Sequence, residues 1–213
     1  MKKIALLLSF VMLLSLFAGC ISDGEVSDVS VSEKPSESVP DEQSKEEEIK
    51  IPVEDPEYAS VISTGKAYKN TAAPGESYPD SYNTELTDGQ FGPENTGDYT
   101  DAKYSGYTDS TVYVTIDLGK VYDSIYEFRC GFLSTDTAGI YPPKGVKIHA
   151  SVDGDKFTRI GECAMPEYQA DCRAEAVLTA EYYVTARYIR FGIEKNAAWV
   201  FIDELVEIGR AHV

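Results

Sequence analysis

Few residues in this sequence have the types and spacing that catalysis needs. It has only two histidines: His149 alternates outward on a strand pattern and His212 lies in the C-terminal tail. The motifs CxxC, HExxH and GxSxG and glycine-rich phosphate loops do not occur. A pair of carboxylates acting as in a glycosidase is the enzyme alternative. That alternative is weak, because acids in apolar strand patterns are needed for structure and no second domain forms a cleft. The sequence favours binding over catalysis.

One acidic side chain lies in the last apolar segment, WVFIDELVEI. The alternation set by Val200 and Ile202 brings Glu204 to the inward face of a strand. An ionised carboxylate there is costly unless it is paired or binds a metal. Two alternatives need no metal: Glu204 pairs with an arginine such as Arg190, or it lies outward after a bulge.

Three cysteines fall in strand patterns or beside them. Cys130 alternates in phase with two phenylalanines, which predicts a buried thiol that acts as a small apolar side chain. Cys163 and Cys172 flank the loop MPEYQAD. An exported protein permits a disulfide between them, but spacing alone does not establish its geometry, so a bridge and two free thiols both stay open.

The N-terminal residues have the pattern of an export signal. Lys2 and Lys3 precede an apolar run of 15 residues that ends before Gly19 and Cys20. As a helix this run reaches about 22 Å, short of the roughly 30 Å hydrocarbon layer, so it fits a signal peptide better than a membrane span. Small residues before a cysteine resemble a bacterial lipobox. The resemblance implies that Cys20 is diacylated and holds the protein on the extracellular face of the cell membrane. An ordinary signal peptide with an incidental cysteine is the alternative.

Charge divides the chain into three segments. The sequence has 36 acidic and 19 basic residues and a formal charge of -17, which argues against a nucleic-acid partner. Residues 1–20 form the signal. Residues 21–57 carry 13 acids, three lysines and no aromatic residue, which predicts a disordered acidic tether, with recruitment of a basic partner as the alternative reading. Residues 58–213 contain the apolar and aromatic residues of one folded domain.

The folded segment has the two-residue period of β-strands. Inward and outward residues alternate in VYVTIDLG, in VKIHASV and in residues 187–193. Asp153 and Gly154 predict a tight hairpin turn into a strand over 156–160. Many short strands without a helical run predict an all-β fold, an antiparallel β-sandwich.

Four motifs, in order, resemble the discoidin or coagulation-factor type C domain of the galactose-binding-like superfamily. They are the DLG strand end, the hairpin S-x-DG-x-x-F, the strand ARYIR and a closing strand in which three residues separate an aromatic residue from DE. The resemblance spans about residues 60–209 and implies a jelly-roll sandwich. Bacterial members are mainly carbohydrate-binding modules, so the implied function is non-catalytic binding of a glycan at the cell surface. Binding of protein or of the cell's own wall polymer is the alternative.

The same resemblance implies a structural calcium ion. In the family pattern, the acid of the closing DE pair and the aspartate of an early DG turn share the ion, and these correspond to Glu204 and Asp88. Backbone carbonyls near Leu86 would complete the oxygen ligands. The usual Asn-x-x-Thr-x-Trp continuation after the DG turn is missing from this sequence, so the remaining ligands are not assigned.

The resemblance also places the ligand surface on loops at one end of the sandwich. Aromatic rings there pack on the apolar face of a sugar, and polar side chains bind its hydroxyls. The candidates are Trp199 and Tyr141 as rings, with Asn196, Tyr82 and Tyr78 as partners for hydroxyl groups. For Trp199 a place in the core at the start of the last strand is the alternative.

Overall fold

The structure is a computed structural model that describes residues 50–53 and 59–210. Its strands are β1 Ala59–Val61, β2 Ala67–Asn70, β3 Ser105–Tyr107, β4 Thr111–Ser134, β5 Gly145–Ser151, β6 Thr158–Glu162, β7 Cys172–Glu194 and β8 Val200–Arg210. Two 3-10 turns lie at Ser81–Asn83 and Glu85–Thr87. In this part of the chain no helix is long and apolar enough to cross a membrane. The predicted all-β, antiparallel architecture is confirmed.

Two long strands, β4 and β7, take part in both layers of the sandwich. In the first layer residues 111–117 of β4 pair with β2 and with residues 188–194 of β7, which pair in turn with β5. In the second layer the later part of β4 pairs with β8 and with the beginning of β7. Register shifts between residues 117 and 127 of β4 mark where the chain passes from one layer to the other.

The core lies between these layers. Val114, Ile116, Ile148, Phe191 and Ile193 are fully buried from the first layer, as the alternation predicts. The second layer contributes the buried side chains Phe128, Cys130, Phe132 and Leu205. Strands with one buried face show this alternation because successive side chains point to opposite faces of a sheet.

The Asp153 hairpin is present. The Oδ1 atom of Asp153 accepts hydrogen bonds from the backbone N–H groups of Asp155 at 2.9 Å and Lys156 at 3.0 Å. These donors stabilise the carboxylate and lower the pKa of Asp153 to about 2. Gly154 has a φ of 85°, which favours glycine. The turn is longer than the sequence indicates, since β6 begins only at Thr158.

A bulge in β8 corrects the prediction for Glu204. Phe132 pairs with Ile202, but Cys130 pairs with Leu205, so β8 has one extra residue at Asp203 and Glu204. The core therefore continues through Leu205, and Glu204 does not follow the alternation of Val200 and Ile202. Its side chain is nevertheless buried, at 1% exposure. Arg190 is not its partner: that guanidinium lies 3.6 Å from the ring centroid of Phe157 and donates from Nε to Thr115.

The cysteines are all free thiols in the described part of the chain. Cys130 is fully buried, as predicted, and burial raises the pKa of its thiol. No bridge joins the other two: Cys163 belongs to the core, whereas Cys172 is half-buried and its Sγ donates to the carbonyl of Gln169 at 3.3 Å.

Residues 50–53, which by composition belong to the predicted tether, pair with the middle of β7. Tyr183 N–H donates to the carbonyl of Ile51 at 2.9 Å, and Val53 N–H donates to the carbonyl of Glu181 at 3.1 Å. Lys50 Nζ lies 5.7 Å from the ring centroid of Tyr182. The chain thus joins the domain where β7 changes layer.

Candidate functional site

Six loops meet at one end of the sandwich, which we call the loop end. They are residues 74–83, 92–103, 108–110, 135–144, 164–171 and 195–199. The strand registers place them together: β4 and β5 both begin opposite Glu194, and the start of β8 pairs with β3. The end of β4 at Ser134 pairs with the start of β7 at Cys172. The opposite end, called the far end, holds Arg210 and its partner Ala59.

Two of the predicted ligand residues belong to a packed aromatic cluster at the loop end. The ring centroid of Tyr78 lies 5.4 Å from that of Trp199 and 4.8 Å from that of Phe201, with edge-to-face geometry. Tyr99 packs against Tyr78 at 5.9 Å. Trp199 also covers Gly75, where a Cβ would lie 2.8 Å from its ring. Tyr78 and Trp199 therefore stabilise the packing of the loop end, whether or not they also contact a ligand.

The predicted ligand residue Tyr141 lies beside a second exposed tyrosine, Tyr168. Their exposures are 39% and 50%. The ring centroids are 6.2 Å apart and the planes are tilted by 48°. The Tyr168 hydroxyl donates to Asp136, which fixes that ring. Tyr168 was not among the residues expected from the sequence. Its position two residues after Pro166, in a loop between two strands, is the signal that could have pointed to it.

Tyr82 is the most exposed of the candidates, at 95%. Tyr82 and Asn83 have φ values of 64° and 53°, a conformation that costs energy for residues other than glycine. Asn196 is also exposed, in the loop before β8. No ring contact within residues 50–53 and 59–210 joins Tyr82 to the other aromatic candidates.

Asp80 anchors the loop that carries Tyr82. Its Oδ1 atom accepts from the Tyr68 hydroxyl at 2.7 Å and from Thr84 N–H at 3.1 Å. Its Oδ2 atom accepts from Asn70 at 3.0 Å. Burial, and after it the bond to Asp80, raises the pKa of Tyr68 far above its usual range. A buried, fully bonded carboxylate of this kind fixes a loop whose tip is strained.

The loop 92–103 is held by a buried ion pair. Asp203 has no exposed surface and accepts from Gly92 N–H at 2.8 Å and from the Arg173 guanidinium. Arg173 also donates to Glu175 at 2.8 Å. The pair lies over Gly131 of β4, where a Cβ would come within 2.0 Å of Asp203 Oδ1. Glycine is required at residue 131 by this close approach.

The structure brings the predicted DG turn to Glu204. Gly89 N–H donates to Glu204 Oε1 at 3.1 Å, whereas the buried Oε2 atom has no hydrogen-bond partner in the described residues. Asp88 accepts from Gln90 N–H at 2.7 Å. Burial raises the pKa of Glu204 to about 8, and the nearby charge of Asp88 adds to the effect. The Leu86 side chain is fully buried.

These atoms offer part of an oxygen site. A buried carboxylate oxygen without a partner, next to a second carboxylate, suits a hard cation. The described residues contain no group of three or more His, Cys, Asp or Glu side chains that could hold a metal ion. Any further ligands would have to be backbone carbonyls, hydroxyls or water.

A second buried glutamate, Glu207, was not singled out in the sequence. It lies in phase with Leu205 on β8, is 0% exposed, and neither carboxylate oxygen has a hydrogen-bond partner in the described residues. Its own N–H donates to Ser63 Oγ at 3.0 Å. Burial raises the pKa of Glu207 to about 8, and Glu204 contributes to the shift. Glu207 is thus a neutral, protonated side chain over most of the acidic range.

No protein-family model matches this sequence, and no curated protein matches it. Solved structures do match. The family 32 carbohydrate-binding module of Clostridium perfringens NanJ, in complex with galactose, has a TM-score of 0.50 at 15% identity over 70% of this chain and 98% of that chain. The lectin domain of Lectinolysin, complexed with Lewis B antigen, has a TM-score of 0.48 at 14% identity over 71% of this chain and 96% of that one.

Identities this low are evidence of a shared fold and not of a shared ligand. The two-layer topology, the DG turn against the closing strand and the six loops at one end agree with the architecture that the sequence motifs imply. The described domain therefore has a β-sandwich fold similar to that of this family 32 carbohydrate-binding module.

Proposed function

We propose that this domain binds carbohydrate without catalysis and that the exposed pair Tyr141 and Tyr168 forms the centre of its sugar site. The observation that carries the proposal is the geometry of the pair: two half-exposed rings at the loop end, one fixed by Asp136. Rigid aromatic rings bind the apolar face of a sugar with little loss of side-chain entropy. Nearby hydroxyl and carboxylate groups then fix the sugar hydroxyls.

The test is a glycan array probed with residues 47–213, which form one compact unit. Binding of one or a few related glycans is the expected result. A blank array would contradict the proposal and favour the alternative that the domain binds a protein.

We expect Tyr141→Ala to weaken glycan binding about three- to tenfold, because an aromatic contact contributes about 0.5–1.5 kcal/mol. The thermal midpoint should change little, since the ring is 39% exposed. Trp199→Ala, in contrast, should both weaken binding and lower the thermal midpoint, because this ring packs on Tyr78 and Phe201. Calorimetric titration with the best array glycan measures both effects. Tyr182→Ala, at the far end, is the control, and full affinity in Tyr141→Ala would place the site elsewhere.

We also propose that Asp88 and Glu204 hold a structural calcium ion. The unpartnered Oε2 atom of Glu204 and the adjacent carboxylate support this proposal. Bound there, calcium would fasten the turn at residues 88–89 to the closing strand and supply no chemistry.

Calcium is expected to raise the thermal midpoint of the domain by several degrees. A ligand present at about 100 times its Kd stabilises the folded state by about 2.7 kcal/mol. Asp88→Ala and Glu204→Ala should each abolish the rise, whereas Asp109→Ala, which removes an exposed acid of the loop end, should keep it. Differential scanning calorimetry with calcium and then with a chelator makes the comparison. Equal midpoints in the two conditions for the unmodified domain would exclude an exchangeable ion.

We propose, finally, that Cys20 carries a lipid anchor. The cysteine lies outside the described residues, and the support is the signal-like sequence before it. Within the domain, residues 50–53 pair with β7 where that strand changes layer, at the end opposite the loops.

Cys20→Ser should release the protein into the soluble fraction or leave its signal uncleaved, because thioether acylation needs the sulfur atom. Fractionation of cells that express each form, with mass measurement of the mature N-terminus, shows the difference. Cys172→Ser is the matched control. A Cys20→Ser protein that is cleaved yet remains wholly with the membrane would contradict the anchor.

A further inference from the structure

A groove lies on the outer face of the first layer, outside the six loops of the loop end. Its volume is about 640 Å³, which is within the range of small-molecule sites. Strand β2 forms one wall, and the hairpin turn at residues 153–155 forms the other. Thr115 and Asp117 of β4 and Tyr188 and Arg190 of β7 lie between these walls. The groove is therefore separate from the proposed sugar site.

Two cations face the groove from different strands. Lys69 of β2 pairs with Thr115 of β4, and Thr115 pairs with Arg190 of β7. Each of the three stands beside a residue of the core in its own strand, so all three side chains project from the outer face. Because neighbouring strands lie about 4.8 Å apart, the Cα atoms of Lys69 and Arg190 are roughly 10 Å apart. Both long side chains can reach one small ligand above Thr115.

The guanidinium of Arg190 is fixed but keeps free donors. It lies 3.6 Å from the ring centroid of Phe157, and its Nε donates to Thr115 Oγ1 at 3.0 Å. Its two terminal nitrogens have no acceptor among residues 50–53 and 59–210. Within the same residues, neither Arg190 nor Lys69 forms a salt bridge with an acid. A fixed guanidinium with free N–H groups is preorganised to bind an oxyanion.

Two of the acids that line the groove are bound by the protein itself. The two carboxylate oxygens of Asp117 accept from Arg187, at 2.8 and 2.9 Å. Asp153 Oδ1 accepts from backbone N–H groups of its own hairpin. Asp155 is exposed to solvent, where its charge is screened. Lys69 and Arg190 thus remain the unpaired charges beside Thr115.

His149, which pairs with Arg190 across β5 and β7, indicates the sign of the charge on this face. Its pKa is lowered by burial first and then by the positive charges of Arg190, Arg159 and Lys147. Positive surroundings disfavour the protonated imidazole, so the direction of the shift agrees with a positive potential beside Arg190. That potential attracts an anion to this part of the face.

We propose that the groove binds a phosphate monoester of a small polar molecule, such as a sugar phosphate, between Lys69 and Arg190. A phosphate monoester has a charge of about -1.5 to -2 and three acceptor oxygens, which match two unpaired cations and one hydroxyl. The Thr115 hydroxyl accepts from Arg190 and is able to donate its own proton to a phosphate oxygen. Tyr188 and Asn70 line the groove beside these groups and contact the rest of the ligand.

This site goes beyond the proposed glycan binding and does not depend on it. The test is calorimetric titration of residues 47–213 with glucose 6-phosphate, glucose and inorganic phosphate at neutral pH. We expect glucose 6-phosphate to bind about tenfold or more tightly than glucose, because only the phosphate forms charge-assisted hydrogen bonds. Inorganic phosphate should bind more weakly than glucose 6-phosphate, since it makes no contact with Tyr188. Added salt should weaken the binding of both phosphates.

Replacing either cation should weaken the binding of glucose 6-phosphate. We expect a loss of about threefold to fivefold for Lys69→Gln, whose side chain is exposed, and about tenfold for Arg190→Gln, whose guanidinium is fixed. Arg159→Gln is the matched control, because it removes a cation of the same face that is already paired with Glu162. Tyr141→Ala, at the loop end, should also leave the affinity for glucose 6-phosphate unchanged.

Full affinity for glucose 6-phosphate in both Lys69→Gln and Arg190→Gln would overturn the inference, as would equal binding of glucose. Inorganic phosphate that binds as tightly as glucose 6-phosphate would also overturn it, because the groove would then recognise the ion alone. A circular dichroism spectrum checks that each variant is folded. Lys69 lies on an edge strand and makes no side-chain hydrogen bond within the described residues, so Lys69→Gln decides the test if Arg190→Gln does not fold. None of these results changes the test of the glycan site, which depends on Tyr141.

Discussion

Replacing Glu207 with glutamine is expected to stabilise the domain strongly at neutral and alkaline pH. In the folded state burial raises the pKa of Glu207 from 4.5 to about 8. Below pH 4.5 the carboxyl is protonated whether the chain is folded or unfolded, so it has no effect on the pH dependence there. Between these values only the unfolded state releases the proton, and the free energy of unfolding falls as the pH rises.

The expected loss is of the order of 4 kcal/mol by pH 8, from about 1.4 kcal/mol for each unit of pKa shift. Glutamine has the same shape and no proton to lose, so Glu207→Gln should make the fall with pH less steep, and the part that remains comes from Glu204, whose pKa is also raised to about 8. Urea unfolding at a series of pH values, with a chelator present, measures it. Glu162→Gln is the control, because Glu162 is an exposed partner of Arg159. Parallel slopes in the Glu207→Gln and unmodified proteins would show that Glu207 does not titrate in this range.

Replacing Gly131 with alanine should be among the most damaging single substitutions. The added methyl group would lie 2.0 Å from Asp203 Oδ1 and 2.5 Å from Arg173 Nη2. Neither atom has room to move, since Asp203 is fully buried and also binds Gly92. Separating a buried ion pair costs about 3–5 kcal/mol.

Gly145→Ala is the matched control, because the new methyl group meets only the exposed carboxylate of Glu162, at 2.6 Å. Chemical denaturation should show a loss of about 3–5 kcal/mol for Gly131→Ala and a small change for Gly145→Ala. Similar stabilities in the two variants would mean that the pair at Asp203 and Arg173 shifts freely.

The family resemblance predicted the positions of some of the candidate calcium-binding and sugar-binding residues but not of all of them. It placed Asp88 and Glu204 in one region, and the structure has Gly89 N–H bound to Glu204. It also placed Tyr141 on an exposed loop. It gave no sign of Tyr168, because the partner of an exposed ring depends on how two loops far apart in sequence fold against each other.

Local pattern was enough to identify parts of β4, β5 and β7, but not β1, β2 or β3. The alternation in residues 112–118, 146–150 and 187–193 is a property of each strand, and the turn at Asp153 is stabilised by donors within three residues. The alternation fails at Val152, which the pattern placed inward but which is exposed just after β5 ends at Ser151. These features depend on interactions between near neighbours in the chain. The all-β fold class and the order of the motifs could therefore be predicted from the sequence alone.

Only the tertiary structure decided the interior of β8. Whether Glu204 or Leu205 follows Ile202 into the core depends on the bulge, which is a shift of register against β4, a strand 70 or more residues earlier in the sequence. The same bulge brings Glu207, together with Leu205, onto the face of Ile202, and it buries there a carboxylate that a continuous alternation would have turned to the other face. Because the side-chain period of a strand is two, one inserted residue reverses every later assignment, and no local pattern in WVFIDELVEI records where the insertion occurs.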